Sequence, residues 1–217
     1  MTQPLDPALL LSAYAGGVFP MAEHAEDEEV FWVDPKERGV LPLNAFHLPR
    51  SLKKVLRQER FAHRVDTAFA EVVAACAARQ ETWINGTIRD GYAELHRLGA
   101  AHSVECWRDE RLVGGLYGVS LRGAFFGESM FSLETDSSKA ALAHLVVRLR
   151  VGGFTLLDMQ FLTDHLARFG AVEIGRTDYR ARLADALDVP GDFGQLTTMV
   201  SGPVSGQDIV QLLTQTS

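Results

Sequence analysis

Residues 124–161 read AFFGESMFSLETDSSKAALAHLVVRLRVGGFTLLDMQF, and the order of patterns inside them decides the fold. Ala124–Met130 is an apolar, aromatic run of strand length, after which Asp136 or Ser137 can cap a helix through Lys139–Leu149. Gly152-Gly153 supplies a left-handed stop, and Phe154–Phe161 is again apolar and strand-sized. Strand, helix and strand make a βαβ unit, whose right-handed crossover sets Ala124–Met130 parallel to Phe154–Phe161.

Working outward, Ser103–Arg108 alternates, Asp109-Glu110 reads as a turn, and Leu112–Ser120 returns, so an antiparallel hairpin leads into the βαβ unit. Beyond it come a helix at Thr163–Phe169 and a last strand near Ala171–Thr177. Before the hairpin, Thr67–Arg79 and Ile88–Leu98 carry helical periodicity, the second closed by Gly99. Pro7–Ala15 predicts a short helix ended by Gly16-Gly17, Glu23–Glu29 an exposed acidic loop, and Ser51 the cap of a helix Leu52–Glu59. The expected class is α+β with a mixed sheet.

The 217 residues are 47% hydrophobic, enough for one sizeable core with or without a small N-terminal companion, and 23% charged. No apolar run approaches the roughly 20 residues of a membrane-spanning helix. The first basic residue is Lys36, so no secretory n-region is expected and the cytoplasm is the expected location. Cys76 and Cys106 lack CxxC spacing and read as buried thiols. A net charge of −7 argues against a uniformly basic surface, yet eight Lys/Arg lie between Lys36 and Arg64 against only Glu37 and Glu59. Arg50, Lys53, Lys54 and Arg57 share one helix face, either a solvated stripe or a phosphate-contacting one.

Strand alternation places Leu156, Asp158 and Gln160 on one face, and Leu157, Met159 and Phe161 on the other. Polar groups at the end of a parallel strand are either a solvated strand end or a ligand site. The same rule puts Glu128 and Met130 on one face, with Ser129 and Phe131 opposite; a buried Glu there is paired or shifted in pKa. Ser129 is no nucleophile elbow, since Phe131 stands where GxSxG needs its last glycine. Gly114-Gly115-Leu116-Tyr117-Gly118 falls inside the hairpin, so its glycines serve close backbone approach. No RxxGxG-like turn precedes the central helix, leaving a coenzyme A pyrophosphate without its backbone cradle. Trp32, Trp83 and Trp107 are core residues or base-stacking platforms. His47, His96 and His102 show neither ligand spacing nor an acidic orienting neighbour, so no metal is expected.

Read in order, these segments resemble the leucyl/phenylalanyl-tRNA–protein transferase family. The resemblance runs through Tyr14-Ala15-Gly16-Gly17-Val18-Phe19-Pro20-Met21, Trp32, Arg38, Arg50-Ser51-Leu52, Thr82-Trp83-Ile84, Ala101-His102-Ser103-Val104-Glu105, Gly114–Gly118, Phe126–Ser132 and Asp158-Met159-Gln160. Departures are Ile88 and Gly91 where Met and Ala are usual, and Phe31-Trp32 in place of a tandem Trp. The resemblance implies a small N-terminal α/β domain with the basic helix (1–60) and a GNAT-like acyltransferase domain (61–187). Residues 188–217 match nothing and form a tail of unassigned role.

It further implies transfer of Leu or Phe, with Met a further candidate, from aminoacyl-tRNA to the α-amine of proteins beginning with Arg or Lys, marking them for N-end rule degradation. No cofactor, no membrane and a monomer are expected. Gln160 would orient the amine with Asp158 fixing its amide, or the pair would relay a proton; Glu128 would attract the acceptor or orient the ester. Trp32, Trp83, Ser129 and Met130 would bind substrate, Met130 in the Leu/Phe pocket, and Arg50, Lys53, Lys54 and Arg57 would meet tRNA. The alternatives are an acetyl-coenzyme A-dependent GNAT acetyltransferase and a noncatalytic tRNA-binding module.

Overall fold

The computed structural model describes residues 5–27, 29–79, 81–200 and 202–215, so Glu28 of the acidic stretch and the last two residues of the tail lie outside it. The expected hairpin is present as β5 (Ala101–Arg108) and β6 (Arg111–Leu121). Asp109 and Glu110 form its two-residue turn, both with positive φ (49° and 57°), which matches the twist of antiparallel strands. Next come β7 (Ala124–Ser132), α5 (Ser137–Val151) and β8 (Leu156–Gln160), with β7 and β8 paired in parallel through Phe126↔Asp158. The βαβ unit is therefore where sequence placed it.

Sequence periodicity predicts no strand at Glu37–Val40, yet these residues form β3, antiparallel both to β8 and to β9 (Val172–Gly175). Glu-Arg-Gly-Val has no apolar alternation to announce it; the strand exists because two edges flank it. With β4 (Ala62–Val65) at the far side, the seven-stranded order is β4-β5-β6-β7-β8-β3-β9. The sheet is thus mixed and mostly antiparallel. A separate two-stranded sheet pairs β1 (Phe19–Met21) with β2 (Phe31–Val33).

Each face of the large sheet has its own core. One face packs α1 (Pro7–Ala15), α3 (Phe69–Ala77), α4 (Gly86–Arg97) and α7 (Arg176–Leu187) through Tyr14, Val72, Tyr92 and Leu183. The other packs α5, α2 (Arg50–Arg57), α6 (Asp164–Ala167), α8 (Gln195–Met199) and α9 (Gly206–Thr214) through Leu56, Leu145, Leu166, Leu196 and Ile209. Between β3 and α2 runs a short 3-10 turn, Leu43–Ala45.

Two helix starts differ from expectation. α2 begins before Ser51, because Pro49 is the N-cap and its fixed φ leads directly into the helix; Ser51 lies inside the first turn. α4 begins at Gly86, because the Asn85 side chain accepts from the Ile88 N–H and so caps two residues earlier than periodicity suggests. The hairpin glycines serve close approach as expected: a Cβ on Gly114 would meet Ser137 Oγ at 2.1 Å, and one on Gly118 would meet Phe126 O at 2.2 Å.

Candidate active site

The site begins with a β-bulge. Gly118 pairs with Gly127 but Tyr117 with Ser129, so Glu128 is an extra residue in β7. The expectation that Glu128 and Met130 share a face is therefore corrected. The bulge flips the alternation: Phe131 joins the core beside α3 and α4, while Met130 packs against the core beside α5. Glu128 turns towards α1 and α4, where Tyr14 donates to its Oε1 and Tyr92 to its Oε2, both at 2.7 Å. The two tyrosine hydroxyls are also 2.7 Å apart.

Burial pushes the Glu128 carboxyl up to about 7, against the opposing pull of the hydrogen bonds from Tyr92 and Tyr14 and of the nearby Gln160 amide. The Gln160 amide approaches this carboxylate without a well-aligned hydrogen bond, and its Nε2 is buried with no partner among the described residues. Tyr117 Oη, beside it, is likewise buried and unpartnered. Two polar atoms are thus held in reserve next to an ionisable acid.

Gln160 has φ 61°, a left-handed conformation that is strained for such a residue, and the Phe161 N–H donates across it to Met159 O at 2.8 Å. This three-residue γ-turn ends β8. Gly39 permits it, since a Cβ there would meet Leu162 N at 2.8 Å. Asp158 stabilises the turn by accepting from the Gln160 backbone N–H at 2.8 Å, so its hold on Gln160 is through the main chain and not through the amide. The rest of the Asp158 carboxylate is occupied: Arg38 Nη2 and Tyr179 Oη each donate at 2.7 Å, and Asp158 is 0% exposed. Arg38 is buried between the Phe19 and Tyr179 rings and donates to Gly17 O.

Beyond Phe126↔Asp158, β7 and β8 diverge and open a cavity of 260 Å³. Leu116, Met130, Leu142, Leu145, Met159 and Leu166 give it an apolar floor; Glu128, Gln160, Tyr117, Ser129 and Trp83 stand at its polar side. Sites for small molecules begin near roughly 300 Å³ and combine such a floor with a few convergent polar groups. The opening continues into a trough of 640 Å³ that shares Arg79, Met130 and His165.

The structure thus gathers Glu128, Ser129, Met130, Gln160 and Trp83 around one cavity, with Asp158 beneath it. Trp32 does not line the cavity; it sits on β2, 39% exposed, opposite Pro20. Arg50, Lys53, Lys54 and Arg57 also lie away from the lining, on the solvent side of α2, whose Leu52, Val55 and Leu56 are buried. Asp66 supplies the acidic neighbour that spacing did not reveal, accepting from His102 Nδ1 at 2.8 Å. Cys76 and Cys106 are free and buried. Among the described residues no cluster suits a metal ion, and no helix is long and apolar enough to cross a membrane.

Sequence reasoning missed Tyr14, Tyr92, Tyr117, Tyr179 and the buried role of Arg38. A signal existed: the chain has four tyrosines, and all four lie buried around Glu128 and Asp158. A buried phenol needs a hydrogen-bond partner, and for Tyr14, Tyr92 and Tyr179 that partner is the carboxylate of Glu128 or Asp158.

The sequence model of the leucyl/phenylalanyl-tRNA protein transferases matches residues 40–184, and that of their N-terminal domain residues 3–36. A leucyl/phenylalanyl-tRNA–protein transferase of Phenylobacterium zucineum is 59% identical, over 96% of this chain and 96% of its own. One from Rhizorhabdus wittichii is 55% identical over 98% and 99%, and one from Paramagnetospirillum magneticum 60% over 91% and 96%.

Proposed function

This chain belongs to the leucyl/phenylalanyl-tRNA protein transferase family, and from that premise we propose that it moves Leu or Phe, and Met as a further donor, from aminoacyl-tRNA to the α-amine of proteins beginning with Arg or Lys. The products would enter N-end rule degradation, and the enzyme would work as a cytoplasmic monomer. The observation that carries the reading is the cavity between the parting strands, apolar below and edged by Glu128 and Gln160 above. A parallel pair that splays beside a helix is also what a GNAT-like acyltransferase core would need in order to admit an acyl group.

In the reaction, the neutral amine attacks the ester carbonyl, a C–N bond forms, and the terminal ribose hydroxyl leaves with its bonding electrons and takes up a proton. An α-amine has a reference pKa of about 7.7–8.0, so a useful fraction is unprotonated near neutrality. Placement then does most of the work, since aligned groups reach effective molarities of roughly 10⁵ M or more. Gln160 Oε1 is suited to accept from the amine N–H, because the γ-turn sets the side chain at the cavity edge. Glu128 is suited to attract the acceptor's cation or orient the ester.

Asp158 acts through Gln160 and not on substrate. Arg38 and Tyr179 engage its carboxylate, which leaves a direct Asp–Gln proton relay without support. Met130, Leu142 and Leu145 would surround the donor side chain, with Ser129 and Trp83 at the rim. Trp32 and the α2 cations Arg50, Lys53, Lys54 and Arg57 would contact tRNA outside the cavity.

The test is an assay with labelled leucyl-tRNA and a peptide beginning with Arg, with acetyl-coenzyme A as the competing donor. Labelled leucine on the peptide amine, unaffected by acetyl-coenzyme A, is the expected result. Acetyl transfer without tRNA, or tRNA binding without any transfer, would refute the reading.

A further inference from the structure

β7 outlasts its parallel partner. Pairing with β8 ends at Phe126↔Asp158 and the γ-turn at Gln160 leads the chain away, while β7 runs on to Ser132. Beyond that point one edge of β7 has no strand beside it. The Leu133 N–H donates to Val113 O, one step past the Gly114↔Ser132 pair. Main-chain groups of an antiparallel strand point alternately to either side, so those of Phe131 face β6 and those of Met130 and Ser132 face the vacant side. Met130 O agrees with this, for it accepts from the Arg79 guanidinium there.

The vacant side is the trough of 640 Å³. Met130 and Ser132 belong to its floor, Ala78 and Arg79 at the end of α3 form one bank, and Ser138 of α5 with His165 of α6 forms the other. α3 and α5 pack on opposite faces of the sheet, so the trough has the position of a missing strand. Met130 is half-buried and Ser132 exposed, which leaves the edge within reach of solvent. At its inner end the trough opens into the cavity through Arg79, Met130 and His165.

On the reading above that the acceptor is a polypeptide amine, we propose that its first residues occupy this strand position, extended and parallel to β7, and pair through their backbone with Met130 and Ser132. The direction follows from the chemistry. The α-amine must reach Gln160 at the inner end, so the acceptor leads outward as β7 does from Glu128 to Ser132, continuing the course of β8. Four residues of strand span roughly 13 Å, so the first four acceptor residues cover the edge.

An extended peptide supplies what the edge lacks, alternating N–H and C=O groups at strand spacing. The phosphates of a nucleic acid carry no donor for Ser132 O. Arg79 already engages Met130 O, and a carbonyl keeps a second lone pair for a strand N–H. Main-chain pairing reads no side chains, so acceptors that differ after their first residue bind alike.

The test is the labelled-leucine assay on a pentapeptide beginning with Arg, N-methylated at one backbone nitrogen at a time from its second to its fifth residue. Methylation at alternate residues should raise acceptor KM about tenfold or more, and methylation between them should change it by less than about twofold. Ala78→Trp, at an exposed position on the bank, should raise KM severalfold for the pentapeptide and leave it unchanged for leucyl-tRNA and for a dipeptide too short to reach Ser132. A methylation profile without period-two alternation, or equal effects of Ala78→Trp on both peptides, would overturn the proposal. So would a raised KM for leucyl-tRNA alone, which would give the trough to the nucleotide end of the donor. Absence of any transfer by the wild type would overturn the functional reading itself, whereas transfer without alternation strikes only the strand pairing.

Discussion

At the scale of single residues, Glu128 is where burial and chemistry meet. Its carboxyl titrates near 7 in the folded chain against 4.5 ordinarily, so the folded state holds the proton longer than the unfolded state does. Its contribution to stability is therefore full below about 4.5 and is lost as pH rises through about 7. Glu128→Gln should flatten that fall, by roughly 2 kcal/mol between pH 5 and pH 7.5 in urea unfolding. The same variant should lower kcat while leaving tRNA affinity intact and erase a rate ionisation near 7; an unchanged pH–rate profile would remove Glu128 from the chemistry. Gln160→Glu tests orientation against proton abstraction. A carboxylate beside Glu128 is repelled by it and cannot supply the amide's donor, so activity should fall at least about tenfold. Full activity with a new carboxylate ionisation would favour abstraction.

At the scale of elements, the bulge in β7 decides which side chain faces the apolar floor of the cavity. It sends Glu128 to the tyrosines and Met130 to the α5 side, next to Leu142 and Leu145. Met130→Ala should shift the Leu/Phe preference, within the factor of about 10–200 that a methylene-scale change commands, and leave acceptor KM unchanged. Equal losses for both donors would point to a general defect. α2 tests the basic stripe: neutralising Lys54 and Arg57, both exposed, should weaken tRNA binding and flatten the salt slope by up to about two units. An unchanged KM at low salt would make the stripe a solvated face. Gly91 shows how one small residue sets the packing of two helices. A Cβ there would meet Leu10 Cδ1 at 3.0 Å, so the missing methyl lets α1 sit close on α4 and bring Tyr14 to Glu128.

At the scale of the molecule, the C-terminal segment is part of the body and not a loose tail. The Glu59 carboxylate accepts from the Gly206 and Gln207 N–H groups at the start of α9, and a Cβ on Gly206 would meet Leu56 O at 2.1 Å. Gly206→Val should therefore push α9 off α2 and cost about 1–3 kcal/mol, visible as a lower Tm with activity per folded molecule retained. An unaltered Tm would show that the contact carries no load.

The sequence alone determined the parts governed by short-range rules. Periodicity, turn chemistry and glycine stops placed the β5–β6 hairpin, the β7–α5–β8 unit and α1, because each rule acts within a few residues along the chain. The order of motifs was enough to point to the family and to Glu128, Asp158 and Gln160. Tertiary structure alone decided what these residues touch. The insertion of β3 between β8 and β9 brings Arg38 to Asp158 across 120 positions, and α1 brings Tyr14 to Glu128 across 114. Nor could alternation foresee the bulge or the γ-turn at Gln160, since each breaks the period-two rule by one residue. Contacts so distant in sequence leave no periodic trace, and the charge of a buried carboxylate is set by whatever the folded chain packs around it.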